Sequence, residues 1–218
     1  YMDGHGVAVG GAIVDSGKFD WMAHAEKFPG LTTPDESYHG LVYTKAFGNL
    51  AFTAKARAHV MRDFGMMISP MNAWLTNMNL ETLPLRMQKH SENGMKLAEY
   101  LASHPKVEWV EYPGLPDSPD AKLAKKYLKA CGGVMTFGPK GGRKAAEKLL
   151  NSLELAALVI HVADARTGVL HPASTTHRQL SDEEQRATGI LPELIRVSAG
   201  LEHIDDIIAD FEQALSKI

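Results

Sequence analysis

His171-Pro172-Ala173-Ser174-Thr175-Thr176-His177 is a dense polar stretch with little helix or strand character, and Arg196 follows twenty residues after Thr176 inside Leu194-Ile195-Arg196-Val197-Ser198. Those five residues read as a strand, and the residues Ile204, Ile207, Ile208, Phe211 and Leu215 behind them form one apolar stripe of a helix. Working outward, the same alternation continues upstream. Val107 to Tyr112 alternates like a half-buried strand ended by Pro113-Gly114, Ala121 to Ala130 is a short basic helix, and Gly132 to Phe137 is a strand. Lys144 to Leu153 is a helix with Leu149, Leu150 and Leu153 inward, and Gly168-Val169-Leu170 is a further strand. Strands and helices alternating over residues 107–218 predict an α/β domain, with its boundary near residue 105, where His104-Pro105 stops the preceding helix.

Before that boundary the texture is more helical. Ser69-Pro70 is a helix-start signal, and a helix is expected to run past Trp74, Leu75 and Met78 before Pro84 kinks or divides it. Helical pattern resumes through Leu85, Met87, Met95, Leu97 and Leu101. Ala54, Ala58, Met61 and Phe64 recur at helical spacing, while residues 28–44, with Pro29-Gly30 and Pro34-Asp35, read as a long ordered loop. At the start, Tyr1 to Gly6 feeds the apolar run Val7 to Val14, which reads as a strand buried on both faces, closed by turn chemistry at Asp15-Ser16-Gly17-Lys18. Such an opening resembles the middle of a longer protein.

Composition narrows the function. The 218 residues suit one large or two small domains. A net charge of -3 gives no support to a general nucleic-acid or polybasic membrane role. The single cysteine, Cys131, excludes a disulfide framework and a multi-thiolate metal site, fits a reducing cytoplasm, and reads as a small packed residue rather than a nucleophile. No apolar run approaches the ~18 residues of a membrane-spanning helix. The ten histidines lack the spacing of a metal-binding helix, so no metal is expected. Gly4, Gly6 and Gly10 precede a strand rather than a helix, which excludes a dinucleotide loop.

Arg196 is the residue that asks for a partner. Its planar fork suits a carboxylate in two-point contact, either that of a ligand or that of an internal Asp or Glu. Thr176 either braces that guanidinium or satisfies a turn.

These residues resemble a known family. The stretch His171–His177, Gly189-Ile190 and Leu194–Glu202 are similar to the C-terminal signature of the pyridoxal-phosphate (PLP) enzymes of cysteine and methionine metabolism, the gamma-family transsulfuration enzymes. Phe28-Pro29-Gly30-Leu31-Thr32, Ser37-Tyr38-His39-Gly40, Ala46-Phe47-Gly48, Glu81–Met87, His90-Ser91-Glu92-Asn93 and Thr175–Ser181 point to the O-acetylhomoserine sulfhydrylase branch. The resemblance implies the fold of the type I, aspartate aminotransferase-like PLP-dependent transferases. Residues 1–104 would then end the large PLP domain and residues 105–218 would form the smaller C-terminal α/β domain. It implies a cytoplasmic homotetramer with active sites shared between subunits. It also implies a γ-replacement in methionine biosynthesis: O-acetylhomoserine plus sulfide or methanethiol gives homocysteine or methionine plus acetate.

By the same resemblance Arg196 binds the substrate carboxylate, Thr176 supports Arg196, and His161 stands where Ser or Asn is usual. Tyr1 touches the cofactor region or is structural. The family's Schiff-base lysine would sit immediately before Tyr1. The expectation is a sequence split at a cofactor-modified lysine, the alternative being a C-terminal fragment that acts only as a binding or assembly module. Other enzymes of the family, methionine gamma-lyase and cystathionine gamma-synthase, are the nearest rival activities.

Overall fold

The computed structural model describes residues 1–218. The chain divides into two compact units, one of Val9–Ala73 and one of Tyr1–Ala8 with Trp74–Ile218.

The second of these holds a mixed five-stranded sheet. Its strands are β1 (Val107–Glu111), β2 (Val134–Pro139), β3 (Ala157–Leu158), β4 (Gly168–Leu170) and β5 (Ile195–Ser198), in the order β1-β2-β5-β4-β3. β1, β2, β5 and β4 are antiparallel neighbours, and β3 is parallel to β4. Alternation sets the faces of β5: Ile195 and Val197 are fully buried, while Arg196 is only partly covered, lying between Thr136 of β2 and Leu170 of β4.

The core is formed by that inner sheet face and the apolar stripes of three helices. These are α6 (Leu83–Ser103), through Leu97, Ala98 and Leu101, α8 (Gly142–Leu150), through Ala146 and Leu149, and α10 (Ile204–Ser216), through Ile207, Phe211 and Leu215. Pro84 lies in the first turn of α6, where its missing N–H costs nothing, so it starts this helix rather than kinking one. α5 (Pro70–Leu80) is the separate helix that Ser69-Pro70 announced. Two polar devices, a buried carboxylate and a partly buried ammonium, fasten the C-terminal helix. The Asp210 carboxylate accepts the backbone N–H groups of Glu154, Leu155 and Ala156, and Lys106 Nζ donates to the carbonyls of Leu215, Ser216 and Ile218. Gly94 in α6 faces the Gly132 carbonyl so closely that a Cβ would sit 2.5 Å from it, which sets how near the helix lies to the strand lead-in. Shorter helices α7 (Ala121–Tyr127) and α9 (Asp182–Ala187) complete the unit, α9 opening on a capping box between Ser181 and Glu184.

The Val9–Ala73 unit is a cluster of short helices: α1 (Pro29–Thr32), α2 (Tyr43–Phe47), α3 (Ala51–Lys55), a π-helical stretch over Ala56–Met61, and α4 (Arg62–Phe64), ended by Gly65 at φ 67°. Its small core is Leu31, Tyr43 and Ala51, with Trp21 and Phe52 against it. Residues 28–44 are therefore not one loop. Pro29 starts α1 and Asp35 caps a 3₁₀ turn at Glu36–Tyr38, segments too short for periodicity to reveal. A second correction concerns Val7 to Val14. No strand forms there, and Val9, Ile13 and Val14 are 82%, 70% and 92% exposed. A strand needs hydrogen-bonding neighbours, and the residues of this chain that pair as strands do so in the sheet of the other unit.

Candidate functional site

The site is built where β5 meets the loop over residues 160–166. Arg196 projects from the partly covered face of β5, and its Nη2 donates to the carbonyls of Ile160 at 2.7 Å and His161 at 3.3 Å. No Asp or Glu forms an ion pair with it. Burial pulls its pKa below the ordinary arginine value, and a guanidinium stays charged at neutral pH regardless. With carbonyls on only one nitrogen, Arg196 keeps N–H donors whose geometry suits a planar carboxylate.

The loop that holds Arg196 is itself tightly specified. Ala163 has a left-handed backbone at φ 65°, a conformation that costs an L-residue about 1 kcal/mol or more, and its N–H donates to Ser198 Oγ at 2.8 Å. Asp164 is almost fully buried. It pairs with His161 Nε2 at 2.9 Å and accepts from the backbone and side chain of Arg166. Burial pushes the Asp164 carboxyl up, but the hydrogen bonds from Arg166 and His161 outweigh it and hold the group below the usual carboxylate range. A carboxyl depressed in the folded state contributes stability that is complete above its unfolded value of about 3.9 and fades as pH falls through the lower folded value. Asp164→Asn should therefore flatten the acid limb of the stability curve below about pH 4 while leaving its shape near neutrality. Melting curves collected from pH 2.5 to 7 check this, and an unchanged acid limb would remove the Asp164 contribution.

The end of β5 is fastened as well. Thr167 donates its N–H and its hydroxyl to the Glu202 carboxylate at 2.7 and 2.8 Å, and the same hydroxyl accepts from Gly200 N–H. Asn93 of α6 donates to the carbonyls of Gly200 and Glu202, and fully buried His90 meets the Ala199 carbonyl at 2.7 Å through Nδ1. Desolvation lowers the His90 pKa, and because a carbonyl only accepts, Nδ1 is the donor in this contact.

Of the four residues singled out by sequence, the structure brings two together. His161 and Arg196 meet, but through the His161 backbone carbonyl, while its ring is held by Asp164. Thr176 does not brace Arg196. It is exposed, and its hydroxyl lies 2.9 Å from His177 Nδ1, because the turn after His171 points it outward. His171 fastens that turn from inside, with Nδ1 on Ser174 and Nε2 on the Pro192 carbonyl. Tyr1 is anchored locally: its hydroxyl accepts the Gly133 N–H at 2.8 Å and its ring packs edge-on against His90. The sequence alone assigns no role to Ser198, Thr167 or Glu202; Ser198 and Glu202 lie in the family-like stretch Leu194–Glu202, and Thr167 has only its place near Asp164 as a signal.

The family model described as Cys/Met metabolism PLP-dependent enzyme matches residues 1–216. A homocysteine synthase of Schizosaccharomyces pombe is 51% identical over 216 residues, covering 99% of this chain and 50% of that protein. An O-acetyl-L-homoserine sulfhydrylase of Leptospira meyeri is 46% identical over 228 residues, covering 100% of this chain and 51% of that protein. A crystal structure of a candidate O-acetylhomoserine (thiol)-lyase from Campylobacter jejuni, containing N'-pyridoxyl-lysine-5'-monophosphate, superposes with a TM-score of 0.90 at 37% identity, over 99% of this chain and 52% of that one. The chain spans about half the length of the curated relatives it matches. The fold is that of the C-terminal part of a type I PLP-dependent enzyme. With residues 1–216 under one family model and relatives at this identity, the chain belongs to the Cys/Met metabolism PLP-dependent enzymes.

Proposed function

We propose that the protein carrying this chain catalyses a γ-replacement in methionine biosynthesis, in which O-acetylhomoserine and sulfide or methanethiol give homocysteine or methionine and acetate. The observation that carries the reading is the Arg196 guanidinium, charged, partly desolvated and without an acid in its own chain. An amino-acid substrate brings the missing carboxylate. When bound, PLP supplies an electron sink for negative charge at the substrate's α-carbon. The residues present fit a PLP-held amino acid at its carboxylate end, by the chemistry of Arg196.

What this chain contributes is orientation. Two parallel N–H···O contacts from Arg196 would fix the substrate's carboxylate plane and thereby the direction of its α-carbon bonds. The carbonyls of Ile160 and His161 hold one guanidinium nitrogen in place before substrate arrives, so less ordering is needed on binding. Residues 1–104 would end the large cofactor domain and 105–218 form the C-terminal domain, and in that protein the exposed run Val7–Val14 would find strand neighbours. A cytoplasmic homotetramer with shared active sites belongs to the same reading.

The test is the purified full-length protein supplied with PLP, O-acetylhomoserine and sulfide. Stoichiometric homocysteine and acetate are expected, with a cofactor-sized adduct fixed by borohydride. Ammonia and 2-oxobutanoate from methionine, with no γ-replacement, would make it a γ-lyase instead. A full-length protein that takes up no cofactor would overturn the reading.

A further inference from the structure

Arg86 is a second guanidinium without an acid partner, and it is buried, at 9% exposure. Its four hydrogen bonds all go to neutral acceptors. Nη1 donates to the Tyr1 carbonyl at 2.6 Å, Nη2 to the carbonyls of Asn79 at 2.8 Å and Met2 at 3.4 Å, and Nε to Thr82 Oγ1 at 3.1 Å. A buried charge is tolerated only when its hydrogen bonds are made, so this fork demands that the Tyr1–Met2 backbone stay where it is. Gly4 shows how closely the fit is drawn. It is buried, has φ +78°, and a Cβ there would lie 2.6 Å from Arg86 Nη1. The guanidinium therefore lies flat against a stretch of bare backbone.

That stretch reaches the carboxylate site. The Gly4 carbonyl accepts the Ala165 N–H at 2.8 Å, and Gly6 packs on the His161 ring, its absent Cβ 3.0 Å from Cδ2. The Ala165 carbonyl in turn accepts the Leu201 N–H at 2.7 Å, beyond the end of β5. Ala165 is thus held on both sides, five residues from the Ile160 carbonyl that grips Arg196. The loop has a reason to need this. Left-handed Ala163 would relax to an ordinary backbone if released, and its one side-chain restraint is Ser198.

We infer that Arg86 is a positioning residue for substrate binding: by clasping Tyr1–Gly4 it makes that segment a strap, which holds the 160–166 loop and through it orients Arg196. The inference rests on the reading of Arg196 as the carboxylate receptor. Arg86 itself touches no substrate.

The experiment uses the full-length, PLP-loaded protein and two probes read by the cofactor's absorbance, L-norvaline and n-butylamine. They differ only in the carboxylate, so the ratio of their affinities isolates carboxylate recognition. Arg86→Met is expected to weaken L-norvaline about tenfold, the scale of one charge-assisted hydrogen bond, with n-butylamine unchanged. Arg86→Lys, which keeps the charge but not the fork, should recover part of the loss. Gly4→Ala pushes the strap off an intact Arg86 and should weaken L-norvaline in the same way. It decides the matter if Arg86→Met does not fold. In the cofactor-free protein, both variants should speed hydrogen exchange at the Ala163 and Ala165 amides. Equal weakening of both probes, or a lowered melting temperature with the ratio intact, would make Arg86 merely structural and overturn the inference. Arg196→Met separates the two ideas. A ratio that ignores Arg196→Met sinks the carboxylate reading itself, whereas a ratio sensitive to Arg196 and not to Arg86 or Gly4 sinks only the strap.

Discussion

Arg196→Met, in the full-length enzyme, is expected to raise KM for the amino-acid substrate by roughly a hundred- to a thousandfold. The magnitude follows from the geometry. Arg196 is partly desolvated and faces no internal acid, so the substrate carboxylate would be its sole counter-charge. Truncating one member of a hydrogen-bonded charge pair costs about 2–5 kcal/mol, and each 1.4 kcal/mol is about tenfold. The split between KM and kcat reports what the contact does. An anchor that only binds raises KM alone, whereas one that also aims the α-carbon lowers kcat as well. A fall in kcat on top of the KM effect is expected, because the two-point contact fixes a plane as well as a position. Arg196→Lys should fall between wild type and Met, since an ammonium keeps the charge and loses the fork. The melting temperature should barely move, because removing Arg196 orphans only its share of the Ile160 and His161 carbonyls, which lie near solvent. Steady-state kinetics with O-acetylhomoserine decide it, and a KM within twofold of wild type would take Arg196 out of the site.

The sequence made Arg196 conspicuous because a charge inside an apolar strand has to be explained. Arg86 was not conspicuous for the opposite reason. In a helix with polar residues on one side, an arginine looks like solvated surface, and here the Tyr1–Gly4 backbone, distant in sequence, lies against it. Thr176 is tied to Arg196 by the resemblance alone, and a motif does not say where a turn aims a hydroxyl, which here meets His177 Nδ1. The C-terminal α/β layer was legible since its strands and helices bury their stripes against one another: Ile207, Phe211 and Leu215 are inward as their spacing requires. The apolar run Val7 to Val14 reads as a buried strand, but burial is a property of neighbours, and within this chain the run has no strand beside it. Residues 28–44 were opaque because one-turn helices are specified by caps and prolines, which look the same as loop chemistry.

The largest stability effect is expected from Phe211→Ala, at about 3–5 kcal/mol. Phe211 is fully buried in α10 and meets Phe137 of β2 edge-on, with ring centroids 6.1 Å apart. The loss combines the transfer of an aromatic side chain, the cavity it leaves and the aromatic pair, itself about 0.5–1.5 kcal/mol. Collapse into the hole is hindered on both sides. Asp210, the preceding residue, is fixed by three backbone N–H groups, and the Lys106 ammonium ties down the end of the helix. A helix pinned at both places cannot slide inward, so the cost should lie in the upper half of that range. Against a typical net stability of about 5–15 kcal/mol, this is a large fraction. Urea unfolding of the full-length protein measures it, with an unchanged m-value expected for a pure stability loss. The consequence reaches the site by register: Phe137 pairs with Ile195, next to Arg196. A helix that no longer presses on β2 should therefore also raise KM for the amino-acid substrate at temperatures where the variant is still folded. A stability loss below about 1 kcal/mol would mean that α10 contributes little to holding the strand that carries Arg196.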